Sequence, residues 1–72
     1  MAVFNRDFWR ILKELRGDRR QEDIANGLGI TKSAWAMYER GERIPRDEIK
    51  VRIANYFKRT VEEIFFTHNE YK

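Results

Sequence analysis

The sequence predicts an all-α fold of about five short helices, and three observations carry that prediction. Apolar residues recur at helical spacing along most of the chain, no segment alternates with period two, and Asn, Asp, Thr and Gly fall where helix ends are expected. With 72 residues, the chain is expected to be one domain over 1–72, with its core over about 6–66 and a frayed tail at 67–72. Two Trp, three Tyr and five Phe are more large apolar groups than so small a core readily hides.

Asn5 is the expected N-cap of a first helix over 6–16, with Asp7 in its first turn and Gly17 as its stop. Phe8, Leu12 and Leu15 make its buried stripe, which Trp9 and Ile11 widen. Asp18 is placed to cap a second helix, Gln21 completing the capping-box spacing, with Ile24, Ala25 and Leu28 inward. The small Ala25 permits a close crossing, and Gly29 ends the helix with an expected positive φ. Thr31 caps a third helix that turns Trp35 and Tyr38 inward and Lys32, Ser33, Ala36 and Met37 outward, stopping at Gly41. After a turn at Ile44 and Pro45, Asp47 caps a fourth helix with Ile49 or Lys50, then Ile53, Ala54 and Phe57 inward. Thr60 and Glu63 form a capping box that opens a fifth helix with Val61, Ile64 and Phe65 apolar.

Composition narrows the function classes. The chain has no cysteine and a single histidine, His68, so neither a metal site nor a cofactor is expected. No nucleophile, base and orienting group fall together and no glycine-rich phosphate loop is present, so an enzyme is not expected. No stretch approaches the roughly 18 apolar residues of a membrane helix, and MAVFNRDFW is not expected to act as a leader. A soluble, cytoplasmic protein is expected. The formal net charge of +3 is modest, but its distribution is not: Arg40, Arg43, Arg46, Lys50 and Arg52 follow the third helix, and Arg19 and Arg20 precede the second. Two short helices over 21–41 joined by a tight turn are the geometry by which one helix enters a DNA major groove while its neighbour braces on phosphates.

Gln21, Ile24, Ala25, Leu28, Gly29, Ile30, Thr31, Trp35, Tyr38, Glu39, Gly41 and Pro45 together resemble the Cro/C1-type, XRE-like helix-turn-helix regulators. The likeness continues more weakly through Asn55, Tyr56 and Phe57 to the closing VEEIFF. The connection RGDRRQ is shorter than in many members, and Lys58 and Arg59 stand where such proteins often carry glycine and an aliphatic residue. The resemblance implies a five-helix, lambda-repressor-like domain. It also implies a repressor of transcription that binds duplex DNA as a homodimer, in a bacterium or a mobile element.

By that resemblance Lys32, Ser33, Ala36 and Met37 read bases, against the alternative of a solvated face. Gln21 binds a phosphate at the start of the second helix, against a capping role alone. Arg40, Arg43, Arg46 and Arg20 touch phosphates, against a solvated charge run. Arg16 and Glu39 form a structural ion pair, against a free carboxylate. Trp35 and Tyr38 are assigned to the core. Ile64, Phe65 and Phe66 form the dimer seam, against core or edge packing, and Phe4, Trp9 and Tyr71 add to the same aromatic surplus. With no sensor domain expected, relief of repression would come from a protein antirepressor, proteolysis or concentration. The rival from another class is a protein-interaction module, an antitoxin or adaptor, on the same fold.

Overall fold

A computed structural model describes residues 2–68. Five helices carry the fold: α1 (Phe8–Arg16), α2 (Gln21–Leu28), α3 (Lys32–Glu39), α4 (Asp47–Phe57) and α5 (Val61–Phe65). A two-stranded antiparallel ribbon, β1 (Ala2–Phe4) with β2 (Phe66–His68), joins the two ends of the chain in the register Val3 to Thr67 and Phe4 to Phe66. The architecture is therefore mostly helical and lambda-repressor-like, with an unexpected ribbon. Each strand has three residues, too few to show a period of two, and Thr67 belongs to β2 rather than to a frayed tail. Residues 69–72, Tyr71 among them, lie outside the described residues.

Local chemistry explains most helix ends. Thr31 Oγ1 accepts from the Ala34 N–H at 3.0 Å and starts α3. At α5 the box is reciprocal: Thr60 Oγ1 accepts from the Glu63 N–H at 3.0 Å, and Glu63 Oε1 accepts from the Thr60 N–H at 2.8 Å. Gly29 closes α2 in the left-handed region at φ 74°, with the Ile30 N–H reaching the Ala25 carbonyl at 3.0 Å.

Three expected caps move. Asn5 does not cap a helix at residue 6. Its Oδ1 accepts from the Asp7 N–H at 3.0 Å and its own N–H reaches the Phe65 carbonyl at 2.8 Å, so the chain turns first and α1 begins at Phe8. Arg20 and Arg46, both extended, take the N-cap positions of α2 and α4 without a side-chain bond, leaving Asp18 outside α2 and Asp47 as the first residue of α4. The acid in the first turn still favours the α4 dipole.

One core joins the helices: Phe8 and Leu12 from α1, Ile24, Ala25 and Leu28 from α2, Trp35 and Tyr38 from α3, Ile49, Ile53 and Ala54 from α4, Ile64 and Phe65 from α5. Ile49 rather than Lys50 enters it; Lys50 Nζ instead lies over the Phe4 and Phe65 rings, 5.2 and 5.8 Å from their centroids. The aromatic surplus has a structural use. Phe66, Phe4, Phe8 and Phe65 form a chain of edge and tilted ring contacts at 5.8, 5.9 and 5.5 Å that fastens the ribbon to α1 and α5. Ile64 and Phe65 are 1% and 0% exposed, so the seam expected at 64–66 loses both to the core and keeps Phe66, which is half-buried.

Candidate nucleic-acid interface

The site is built on α3. Its period places Lys32, Ser33, Ala36 and Met37 on one side, the first two exposed and the last two half-buried, while Trp35, Tyr38 and Glu39 are buried on the other. Gly41 ends the run with φ 72°, and a Cβ there would come within 2.7 Å of Trp9 Cδ1. Glycine thus lets the half-buried Trp9 of α1 close on the start of the connection that carries the arginines.

Beneath α3 the structure brings together Arg16, Gln21, Trp35 and Glu39. Glu39 is 1% exposed and accepts four hydrogen bonds: Arg16 Nε at 2.6 Å and the Trp35 indole Nε1 on Oε2, Arg16 Nη2 at 3.0 Å and Gln21 Nε2 at 3.1 Å on Oε1. A carboxylate offers about four lone-pair sites, and here each is met. An unpaired buried carboxylate would be prohibitively costly, so the two-pronged arginine and the neutral donors are conditions for its presence. The hydrogen bond to Glu39 raises the already high Arg16 pKa further. Arg16 Nη1 donates in addition to the Arg19 carbonyl at 2.9 Å, which fixes the short connection between α1 and α2.

Gln21, the first residue of α2, therefore spends one amide hydrogen inward on Glu39 instead of completing a box with Asp18. Arg20 is exposed and lies 3.8 Å from Asp23, a loose contact. Arg19 is engaged within the fold: it donates to the Leu15 and Arg16 carbonyls at 2.8 and 3.3 Å, and its guanidinium lies 5.3 Å from the Phe57 ring centroid.

The connection over 40–46 is arranged differently. Arg40 grips Glu42 with Nε at 2.9 Å and Nη2 at 3.1 Å, both side chains more than half exposed. That bond holds the Glu42 carboxyl below its ordinary pKa and raises that of Arg40. Arg43 and Arg46 are exposed and, like Lys32, have no carboxylate partner among the described residues. Arg52, on α4, donates to the Leu28 carbonyl at 3.2 Å and pairs with Glu48 at 3.0 Å, so it ties α4 to the end of α2.

Sequence reasoning missed the roles of Trp35 and Gln21 toward Glu39. The four-residue spacing of Trp35 and Glu39 was a visible signal for the first. Nothing local announced the second.

Comparison with known proteins agrees with this geometry. The helix-turn-helix domain family matches residues 8–64, from the start of α1 into α5. A transcriptional repressor of the cryptic phage CTXphi, RstR of Vibrio cholerae, is 31% identical over 55 residues, which cover 74% of this chain and 50% of the repressor. The chain thus spans about half the length of that curated relative. No solved structure matches. With the turn at Gly29, the capped α3 and the family match in agreement, the chain belongs to the helix-turn-helix DNA-binding family.

Proposed function

We propose that this chain is a repressor of transcription that binds duplex DNA sequence-specifically and acts in the cytoplasm, with α3 in the major groove. The observation that carries the reading is the contrast across α3. A buried side fixed through Glu39 backs a face of Lys32, Ser33, Ala36 and Met37 that is open to a ligand, beside Arg43 and Arg46, which have no carboxylate partner among the described residues.

Lys32 donates to guanine O6 or N7, Ser33 bonds to base edges, and Ala36 and Met37 pack on thymine methyl groups. Gln21, Arg20, Arg40, Arg43 and Arg46 bind phosphates, and these sequence-independent contacts supply most of the affinity. Two copies place two α3 helices about 34 Å apart, which requires a palindromic site. With Ile64 and Phe65 in the core, the pairing surface reduces to Phe66 with its shallow apolar surroundings at Ala2 and Val61. The related phage protein is named a transcriptional repressor, which favours repression over activation.

Selection from a random duplex library at about 150 mM salt tests the reading, because that salt screens non-specific attraction. A palindromic motif with two half-sites is the expected result. Folded protein that enriches no sequence would overturn it and direct the search to protein partners.

A further inference from the structure

We propose that Trp35 is a positioning residue for the phosphate contact of Gln21, acting through Glu39. The inference rests on the DNA-binding reading above and adds to it a residue that the fold places in the core.

Chemistry fixes which end of the Gln21 amide faces inward. An ionised carboxylate only accepts, so Glu39 must meet the amide nitrogen and never its carbonyl oxygen. The nitrogen carries two hydrogens. One is spent on Glu39 Oε1 at 3.1 Å, and the other is left at the first residue of α2, whose N-cap Arg20 provides no side-chain bond. A phosphate oxygen at that helix start requires a donor, and the amide is held with its donor end in the right sense before DNA arrives.

Holding it there depends on Glu39 not rotating. The terminal torsion of a glutamate is broad and has no strong preference of its own. Arg16 fixes the carboxylate from α1, and the Trp35 indole N–H fixes it from within α3, one turn earlier on the same helix. The two bonds on Oε2, from Arg16 Nε and Trp35 Nε1, pin that oxygen, so Oε1 is left pointing at Gln21. Trp35 is 0% exposed, so no water replaces its N–H without repacking the core. Removing this one donor leaves Oε2 to Arg16 Nε alone, loosens the carboxylate against tilting on the arginine fork, and lets the amide sample orientations that offer oxygen to the phosphate.

The test is a double-mutant cycle on the duplex recovered by the selection described above, with Trp35→Phe and Gln21→Ala. Trp35→Phe should weaken binding about fivefold when Gln21 is present, the cost of orienting one amide side chain on binding, and have no effect when residue 21 is alanine. Base preference should stay the same, because phosphate contacts position without specifying. Equal weakening in both backgrounds would mean that Trp35 acts by packing, and would overturn the proposal. So that a lost core volume is not mistaken for a lost hydrogen bond, the sulfur isostere of tryptophan, benzothienylalanine, is placed at residue 35; it keeps the shape and lacks the N–H. The Gln21 side-chain amide signals of the free protein provide a reading without DNA. With the isostere their two hydrogens should become less distinct and exchange faster with water. Unchanged signals would overturn the coupling even if the selection recovered no duplex, which would be a separate failure of the DNA-binding reading.

Discussion

Glu39 and Glu42 lie on either side of the end of α3 and are handled in opposite ways. Glu39 is buried with four donors from α1, α2 and α3, whereas Glu42 is exposed and shares one fork with Arg40 in the connection that follows. The first arrangement fixes the angle and register of the proposed reading helix before any ligand arrives. The second leaves charge at the surface, where a phosphate can replace the internal partner. Rigidity is placed under the helix and available charge beside it, a division suited to a preorganised binding face.

The largest expected effect comes from breaking the rigid half. Glu39→Ala strands the Trp35 N–H in the core and leaves Arg16 without its partner. We expect a loss of about 3 kcal/mol, at the low end for a broken buried pair, since the Arg16 side chain is 24% exposed and can be rehydrated. For a domain of this size that lowers the melting temperature by on the order of 10–20 °C. A loss below about 1 kcal/mol in urea unfolding would show that water substitutes for the carboxylate and would dissolve the contrast.

Breaking the open half should act on DNA and leave folding alone. Lys32→Ala is expected to cost about 1–3 kcal/mol at one base-pair position of the preferred site and to relax the preference there. Arg43→Ala should weaken all duplexes alike and flatten the salt dependence by about one unit of slope, with stability changed by less than about 0.5 kcal/mol. Binding titrations across salt on the preferred and on a scrambled duplex separate the two. If Lys32→Ala left the preference unchanged, the groove assignment of α3 would be wrong.

Local features were the legible ones. The caps at Thr31 and Thr60, the stop at Gly29 and the inward positions of α2 and α3 follow from neighbours within a helical turn or two, and each is where the pattern put it. What eluded sequence reasoning involves distant partners. The β1–β2 ribbon pairs the ends of the chain, and the Asn5 N–H bonds to the Phe65 carbonyl, which delays α1 to Phe8. In the candidate site, the period of α3 placed Lys32 and Ser33 outward, where they are exposed, and it did not foresee that Ala36 and Met37 would be half-buried. The inward turn of Gln21 was not readable either, because residues 21 and 39 meet only once three helices have packed. The turn after α4 lies between these cases. Lys58 stands where the resemblance drawn from the sequence implies glycine, and it adopts φ 57°, ψ 46°, the only positive φ of a non-glycine among the described residues. Lys58→Gly should therefore stabilise the fold by about 0.5–1 kcal/mol, because the left-handed strain disappears faster than unfolded-state entropy grows. Binding should not change. A destabilised Lys58→Gly would mean that the side chain makes contacts that outweigh its backbone strain.

The smallest expected effect tests whether the open half is as available as the contrast requires. On the proposed reading Glu42, which holds the Arg40 fork, would compete with phosphate for it and add a negative charge beside the DNA backbone path. Glu42→Gln should strengthen binding to any duplex about two- to threefold at low salt, and the gain should fade as salt rises, since the pair is exposed and screened. The pH dependence gives a sharper check. Arg40 holds the Glu42 carboxyl below its ordinary range, so its charge persists above the unfolded value and is lost only as pH falls through the lowered one. The difference between Glu42→Gln and the parent should consequently be flat from about pH 8 to about pH 5 and close below that. A difference that instead changed within that window would have to come from another titrating group. Equal affinities throughout would mean that Arg40 keeps its internal partner when DNA binds, leaving Arg43 and Arg46 to carry the phosphate contacts of this connection.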